Sequence, residues 1–177
     1  YKQALRIKPD YAGAYNNMGN ALSSKGDFEG AIESYKQALR IKPDFAGAYN
    51  NMANAMKNKG DLEEAIESCK QALKIKPDYA DAYYNMANAM KDKGDLAEAI
   101  DSYKKALKIK PNYASAYYNM GNALNKKGNP EAAIENYKQA IKIKPNYAVA
   151  YNNMGNALSS KGDLEGAIEC YNQAIRI

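Results

Sequence analysis

Apolar residues recur along this chain on two alternating helical stripes. Tyr15, Met18, Gly19 and Leu22 stand at i, i+3, i+4 and i+7, the spacing of one apolar helix face. A second stripe follows in Phe28, Ala31, Ile32, Tyr35, Ala38 and Leu39. The punctuation between them predicts where each helix starts and stops. Asp10 after Pro9 is placed to cap the first helix, Gly26 to end it, Asp27 to cap the second and Pro43 to stop that one. A turn as short as the one at Gly26 folds two helices back antiparallel. Gly19, Ala31 and Ala38 put little or no side chain on the buried stripes, so helix backbones can approach closely.

The two-helix pattern then repeats. Pro9, Pro43, Pro77, Pro111 and Pro145 lie 34 residues apart, and Met18, Met52, Met86, Met120 and Met154 keep the same step. Gly26, Gly60, Gly94, Gly128 and Gly162 keep it too. A period of this length marks stacked helical hairpins. Full units start at residues 12, 46, 80 and 114; a last unit occupies 148–177, and residues 1–11 read as the closing half of another unit, Tyr1 to Ile7 carrying its helix. The expected organisation is therefore one array over 1–177, a piece of a longer one, with apolar surface open at both ends. In the fourth unit the turn reads Gly128, Asn129, Pro130, a cap followed by proline at the first helical position.

These residues carry a family resemblance. Tyr15, Met18-Gly19, Leu22, Ala31, Tyr35, Ala38 and Pro43 resemble the tetratricopeptide repeat, with Tyr for the usual Trp, Met for Leu, and Leu or Met for the second aromatic. Such volume-tolerant swaps keep a core. The resemblance implies an all-α, right-handed superhelical solenoid of antiparallel helix-turn-helix repeats. It also implies first helices lining a concave groove and second helices the convex side.

The two kinds of helix differ in their polar faces. Second helices are charged, as at Glu29, Glu33, Lys36 and Arg40; first helices carry neutral Asn16, Asn17, Asn20, Ser23 and Ser24. Two asparagine ladders follow, Asn17, Asn51, Asn85, Asn119, Asn153 and Asn20, Asn54, Asn88, Asn122, Asn156. A carboxamide offers both a donor and an acceptor, so a column of them suits the backbone of an extended peptide. It suits packing between helices equally well, and both readings stand at this point. Each such bond contributes about 0.5–1.5 kcal/mol net, against about 1–2 kcal/mol to order a peptide residue. Apolar anchors must therefore add to the amides, and Tyr84, Tyr118 and Val149 are the candidates. The runs Tyr-Asn-Asn-Met-Gly-Asn-Ala-Leu resemble the repeat array of the protein O-GlcNAc transferases, in which an inner asparagine ladder holds a polypeptide by its backbone. By position that ladder falls on Asn17, Asn51, Asn85, Asn119 and Asn153. The family's carboxylate clamp for chaperone tails needs Lys and Arg where this chain has Asn16, Asn50, Tyr84, Tyr118 and Asn152.

The net charge of +5 changes little, because 21 of the 25 Lys and Arg fall in four repeating columns near helix C-termini, where cations complement the helix dipole. Lys57, Lys91, Lys105 and Lys126 lie outside those columns and form no phosphate track, so no nucleic-acid partner is expected. The chain has no histidine, no phosphate loop and no Ser or Cys with an evident base, so no catalysis, metal or cofactor is expected either. Cys69 and Cys170 occupy different places in the repeat and frame no disulfide or zinc site; a reducing, cytoplasmic setting is the expectation. No run is long and apolar enough to span a membrane. Two functions of different kinds follow: a non-catalytic module binding an extended polypeptide in its groove, or a scaffold associating end to end with copies of itself.

Overall fold

The computed structural model describes residues 11–177. The half-unit Tyr1 to Ile7, Pro9 and the Asp10 cap lie outside them. Among the described residues there are ten helices and no strand: α1 Ala12–Ser24, α2 Phe28–Ile41, α3 Ala46–Lys59, α4 Leu62–Ile75, α5 Ala80–Lys93, α6 Leu96–Ile109, α7 Ala114–Lys126, α8 Pro130–Ile143, α9 Ala148–Ser160 and α10 Leu164–Arg176. Every odd-numbered helix starts on the alanine that opens a sequence unit. The fold is an all-α helical repeat, in two compact units: residues up to Lys93, with α1–α5, and Gly94–Ile177, with α6–α10.

The turn chemistry is local. Gly60 has φ +103°, open to glycine at no steric cost. Its N–H donates to the Lys57 carbonyl (3.1 Å) and the Asp61 N–H to the Met56 carbonyl (2.9 Å), the two bonds of a Schellman C-cap. Asp27 then caps α2, accepting from the Gly30 N–H at 2.9 Å, and Asn129 caps α8 from the Ala132 N–H at 3.0 Å. At the other turn the structure departs from expectation. Asp44, the counterpart of Asp10, does not cap α3; Phe45 holds that position without a side-chain bond, its carbonyl accepting from Ala48 and Tyr49. The aromatic there serves packing, and Lys42 lies over its ring at 5.5 Å. Lys76 over Tyr79, Lys110 over Tyr113 and Lys144 over Tyr147 repeat the contact at 5.1, 4.2 and 4.7 Å. The Lys42-type column is thus engaged in cation–π contacts as well as facing a helix C-terminus.

Within the first unit α1 packs on α2, α2 on α3, α3 on α4 and α4 on α5, and the first helices α1, α3 and α5 also touch in sequence. Within the second unit consecutive helices pack likewise, and α7 touches α9. The core is made of alanines and single large side chains. Ala31, Ala38, Ala48 and Ala55 are almost or wholly without accessible surface, and Tyr35, Tyr103 and Tyr137 are the large rings enclosed between such alanines and their equivalents. Burying a side chain of that size contributes about 1.5–3 kcal/mol. Gly19 is what admits the Tyr35 ring: a Cβ there would stand 2.5 Å from Tyr35 Cε1, and Gly121 against Tyr137 repeats the arrangement at 2.6 Å. At the outer surface Lys59 reaches Glu29 (3.7 Å), Lys93 reaches Glu63 (3.3 Å) and Lys161 reaches Glu131 (2.9 Å). These ion pairs are exposed and contribute little to stability. They do place the Lys25-type column beside the preceding unit's acidic first turn.

Candidate polypeptide-binding face

The contact of first helix with first helix brings the asparagine columns within bonding distance, and they bond to one another in a fixed order. In the first unit Asn51 Nδ2 donates to Asn20 Oδ1 and to Asn16 Oδ1, both at 3.1 Å. Asn85 Nδ2 donates to Asn50 Oδ1 at 2.9 Å. In the second unit Asn153 Nδ2 donates to Asn122 Oδ1 at 2.9 Å and to the Tyr118 hydroxyl at 3.1 Å. A member of the Asn17 ladder therefore spends its N–H groups on the preceding repeat.

The second ladder is tied from behind. Tyr35 Oη donates to Asn20 Oδ1, Tyr137 Oη to Asn122 Oδ1 and Tyr171 Oη to Asn156 Oδ1, each at 2.8 Å. Asn20 Oδ1 thus accepts from the second helix of its own hairpin and from the first helix of the next, joining three helices at one oxygen. Burial pushes the Tyr35 hydroxyl up to about 12 and raises that of Tyr137 as well, so both remain protonated donors at neutral pH.

In the first unit these bonds use one end of each amide. Asn51 keeps a carbonyl oxygen and Asn20 an amino group for the exposed face. In the second unit further ends are spent within the face: Asn122 Nδ2 donates to Asn119 Oδ1 at 3.5 Å and Asn152 Nδ2 to Asn153 Oδ1 at 3.4 Å. The sequence put Asn16 and its column on the polar face but assigned its asparagines no bonding role. Asn16 and Asn50 are buried, at 9% and 7% exposure, and serve as acceptors. The signal was available: that column holds only Asn and Tyr, both of which carry an oxygen.

Asn54 differs from the other ladder members. Its hairpin has Cys69 where Tyr35, Tyr103, Tyr137 and Tyr171 stand, so no hydroxyl reaches it, and Asn85 turns to Asn50 alone. Asn54 is exposed and makes no hydrogen bond among the described residues. Cys69 is fully buried with Ala53, Ile66 and Met86, and burial holds its thiol at about 12, unreactive at neutral pH. Asn88 and Asn119 both have partners. Asn17 and Asn156 are exposed.

The aromatic candidates are partly engaged in packing. Tyr118 lies 5.1 Å from the Tyr147 ring and 6.1 Å from Tyr137, centroid to centroid, and remains half-buried, as does Tyr84. Val149 is 52% exposed. Tyr118 and Val149 help line a cavity of about 580 Å³ whose wall includes Ala174 and Ile175. Ala174 is the counterpart of Ala38, which Ala48 of the following helix covers. The cavity thus occupies the place that the next first helix fills in the first unit. No helix among the described residues is long and apolar enough to cross a membrane, and no described cluster of Cys, Asp and Glu has the makings of a metal site.

Comparison with known proteins bears on the fold and the family. None of the curated proteins gives a significant sequence match. Among solved structures, the crystal structure of MamA is 31% identical with a TM-score of 0.81, covering 90% of this chain and 93% of MamA. YrrB, described as "a TPR protein with an unusual peptide-binding site", is 24% identical with a TM-score of 0.74, covering 99% and 90%. PilF of Pseudomonas aeruginosa is 20% identical with a TM-score of 0.86, covering 93% and 75%; at these lower identities the fold alone is shared. The family and its neighbours support a protein–protein interaction module. The TPR repeat model matches residues 1–26, 19–60, 54–94, 87–128 and 121–162, and the tetratricopeptide repeat model matches 148–177. The chain belongs to the tetratricopeptide repeat family.

Proposed function

We propose that the first-helix faces bind an extended polypeptide by its backbone, without catalysis. The observation that carries this is the direction of the inter-repeat bonds. In the first unit they leave the Asn51 carbonyl and the Asn20 amino group unspent, a pair that suits the N–H and C=O groups of a peptide strand. Tyr84, Tyr118 and Val149 would add the apolar contacts that amides alone lack. That YrrB has a peptide-binding site on the same fold is consistent with this use. Screening the 177-residue chain and its Asn17→Ala/Asn51→Ala variant against a peptide library tests the reading, with helicity measured as a folding control. The expected result is sequence-tolerant binding that the variant loses about tenfold. A parent that binds no peptide, or a folded variant that binds unchanged, overturns it.

A second reading rests on a different observation. Leu164 is 61% exposed and Ile168 59%, whereas the counterparts of Ile168, namely Ile32, Ile66, Ile100 and Ile134, are 6–8% exposed. In the 177-residue chain this apolar face of α10 suits end-to-end association with another copy. A molecular mass that stays monomeric at high concentration in light scattering would dismiss it.

A further inference from the structure

Beside the ladders the first unit holds a polar pocket of about 300 Å³ lined by Asn20, Ser23, Ser24, Tyr35, Asn51 and Asn54. We propose that this pocket accepts a primary carboxamide, the side chain of a glutamine or asparagine in the bound polypeptide, and that Asn54 is the residue that recognises it. The proposal rests on the peptide-binding reading above and adds a preference for one side chain at one place.

Three features of the pocket point to that ligand. First, the space exists because of the serines. Where Ser23 and Ser24 stand, the next three units carry Lys57 and Asn58, Lys91 and Asp92, or Asn125 and Lys126, and the last has Ser159 and Ser160 again; the longer side chains occupy more of the volume. Second, no lining residue is ionised, so a charged side chain entering the pocket gives up hydration without a counter-charge. An apolar one leaves the pocket's amides and hydroxyls without partners.

Third, the unused hydrogen-bonding groups are of both kinds. Asn20 Oδ1 is occupied by Tyr35 and Asn51, which leaves the Asn20 amino group as a donor. The Asn51 amino group is occupied in turn, which leaves its carbonyl as an acceptor. Asn54 has no partner among the described residues, because Cys69 supplies no hydroxyl to it, and so offers donor and acceptor together. A carboxamide matches that set, pairing with Asn54 through one N–H···O bond in each direction. A sugar ring would also bring hydroxyls. However, Tyr35 is 2% exposed and contributes its hydroxyl, not its ring face, so the pocket has no aromatic platform for a pyranose.

The test follows the side-chain amides of the ¹⁵N-labelled 177-residue chain by NMR. The probes are an eleven-residue Gly-Ala peptide with a central Gln, the same peptide with Glu, Leu or Ala there, and methyl glucoside. The Gln peptide is expected to shift the Asn20 and Asn54 amides and to bind about tenfold more tightly than the Ala peptide. Ser23→Lys should remove that advantage and leave the Ala-peptide affinity unchanged, and Asn54→Ala should weaken the Gln peptide more than the Ala peptide. Equal binding of the Gln and Ala peptides, a preference for Glu or Leu, or glucoside as the probe that moves these amides would overturn the proposal. If the Ala peptide shifts Asn51 and Asn85 and Gln adds nothing, the pocket assignment alone falls. If no peptide moves any ladder amide, the peptide-binding reading falls with it.

Discussion

The first and second hairpins share their pattern and differ at the junction of core and face. In the first, Gly19 makes room for the Tyr35 ring, and the ring's hydroxyl holds Asn20. In the second, Cys69 replaces the ring, Ala53 replaces the glycine, and Asn54 loses its donor. Three positions therefore act together: a small residue on the first helix, a ring or thiol on the second, and the amide that the ring fixes. A substitution in the core changes what the exposed face can bind, because one hydroxyl spans the two.

The strongest way to break this comparison is to turn the first hairpin into the second. Tyr35→Cys alone removes a buried ring and leaves the space that Gly19 opened, at an expected loss of about 3 kcal/mol. Adding Gly19→Ala fills part of that space and removes a helical glycine, recovering about 1 kcal/mol. Denaturant titrations followed by circular dichroism compare the single and double variants, fitted with the repeat nature of the chain in view. If the double variant is no more stable than the single one, the two sites are not coupled.

Alkaline pH separates the hairpins by the groups that titrate in each. The unfolded Cys69 thiol ionises near 9, but burial holds the folded one to about 12. Between those values the unfolded chain sheds the proton that the fold keeps, so stability present below pH 9 is lost as pH rises. Tyr35, moved by burial from 10 to about 12, adds its loss only above pH 10. Burial raises the Cys170 thiol as well, so the comparison is made in a Cys170→Ala background, where melting temperatures from pH 8 to 12 should decline from about pH 9 with Cys69 present and from about pH 10 in Cys69→Ala. Parallel curves for the two proteins would mean that the thiol is not protected.

Much of the fold was legible in the sequence because one physical device is used many times. Gly26 and its counterparts occupy a backbone conformation favouring glycine, and the alanine stripes are buried where the helical spacing placed them. The exception was the cap. Asp44 looks like an N-cap, but the aromatic Phe45 beside it takes that position, where its ring packs. The face was half legible. Periodicity put two asparagine columns on one side, yet could not say which atoms were already spent. That depends on contacts across a 31- or 35-residue offset, which a 34-residue alignment does not display. The freedom of Asn54 was written in the chain as Cys69. It becomes readable only once the tyrosine hydroxyl is known to reach the amide.

The reverse conversion sharpens the comparison with a smaller effect. Cys69→Tyr forces a ring against Ala53, and overpacking of this kind costs about 1–3 kcal/mol. The third unit combines Ala87 with Tyr103, which favours the lower end of that range. Ala53→Gly should relieve the strain, and the Asn54 side-chain amide resonances should move as the new hydroxyl bonds to its oxygen. A stable double variant whose Asn54 signals do not move would separate core fit from control of the face.

The smallest effect isolates the hydroxyl itself. Asn20→Ala leaves the buried Tyr35 hydroxyl without its acceptor and frees one Asn51 donor, so it should cost about 1 kcal/mol or somewhat more. Asn54→Ala removes an exposed amide with no partner among the described residues and should leave stability within about 0.5 kcal/mol of the parent. The same chemical change at equivalent positions thus has unequal results, and denaturation midpoints measured side by side report the difference. Equal losses would show that Asn54 is held after all. A silent Asn20→Ala would show that water satisfies the tyrosine, since a hydroxyl near the surface can trade a protein acceptor for solvent at almost no cost.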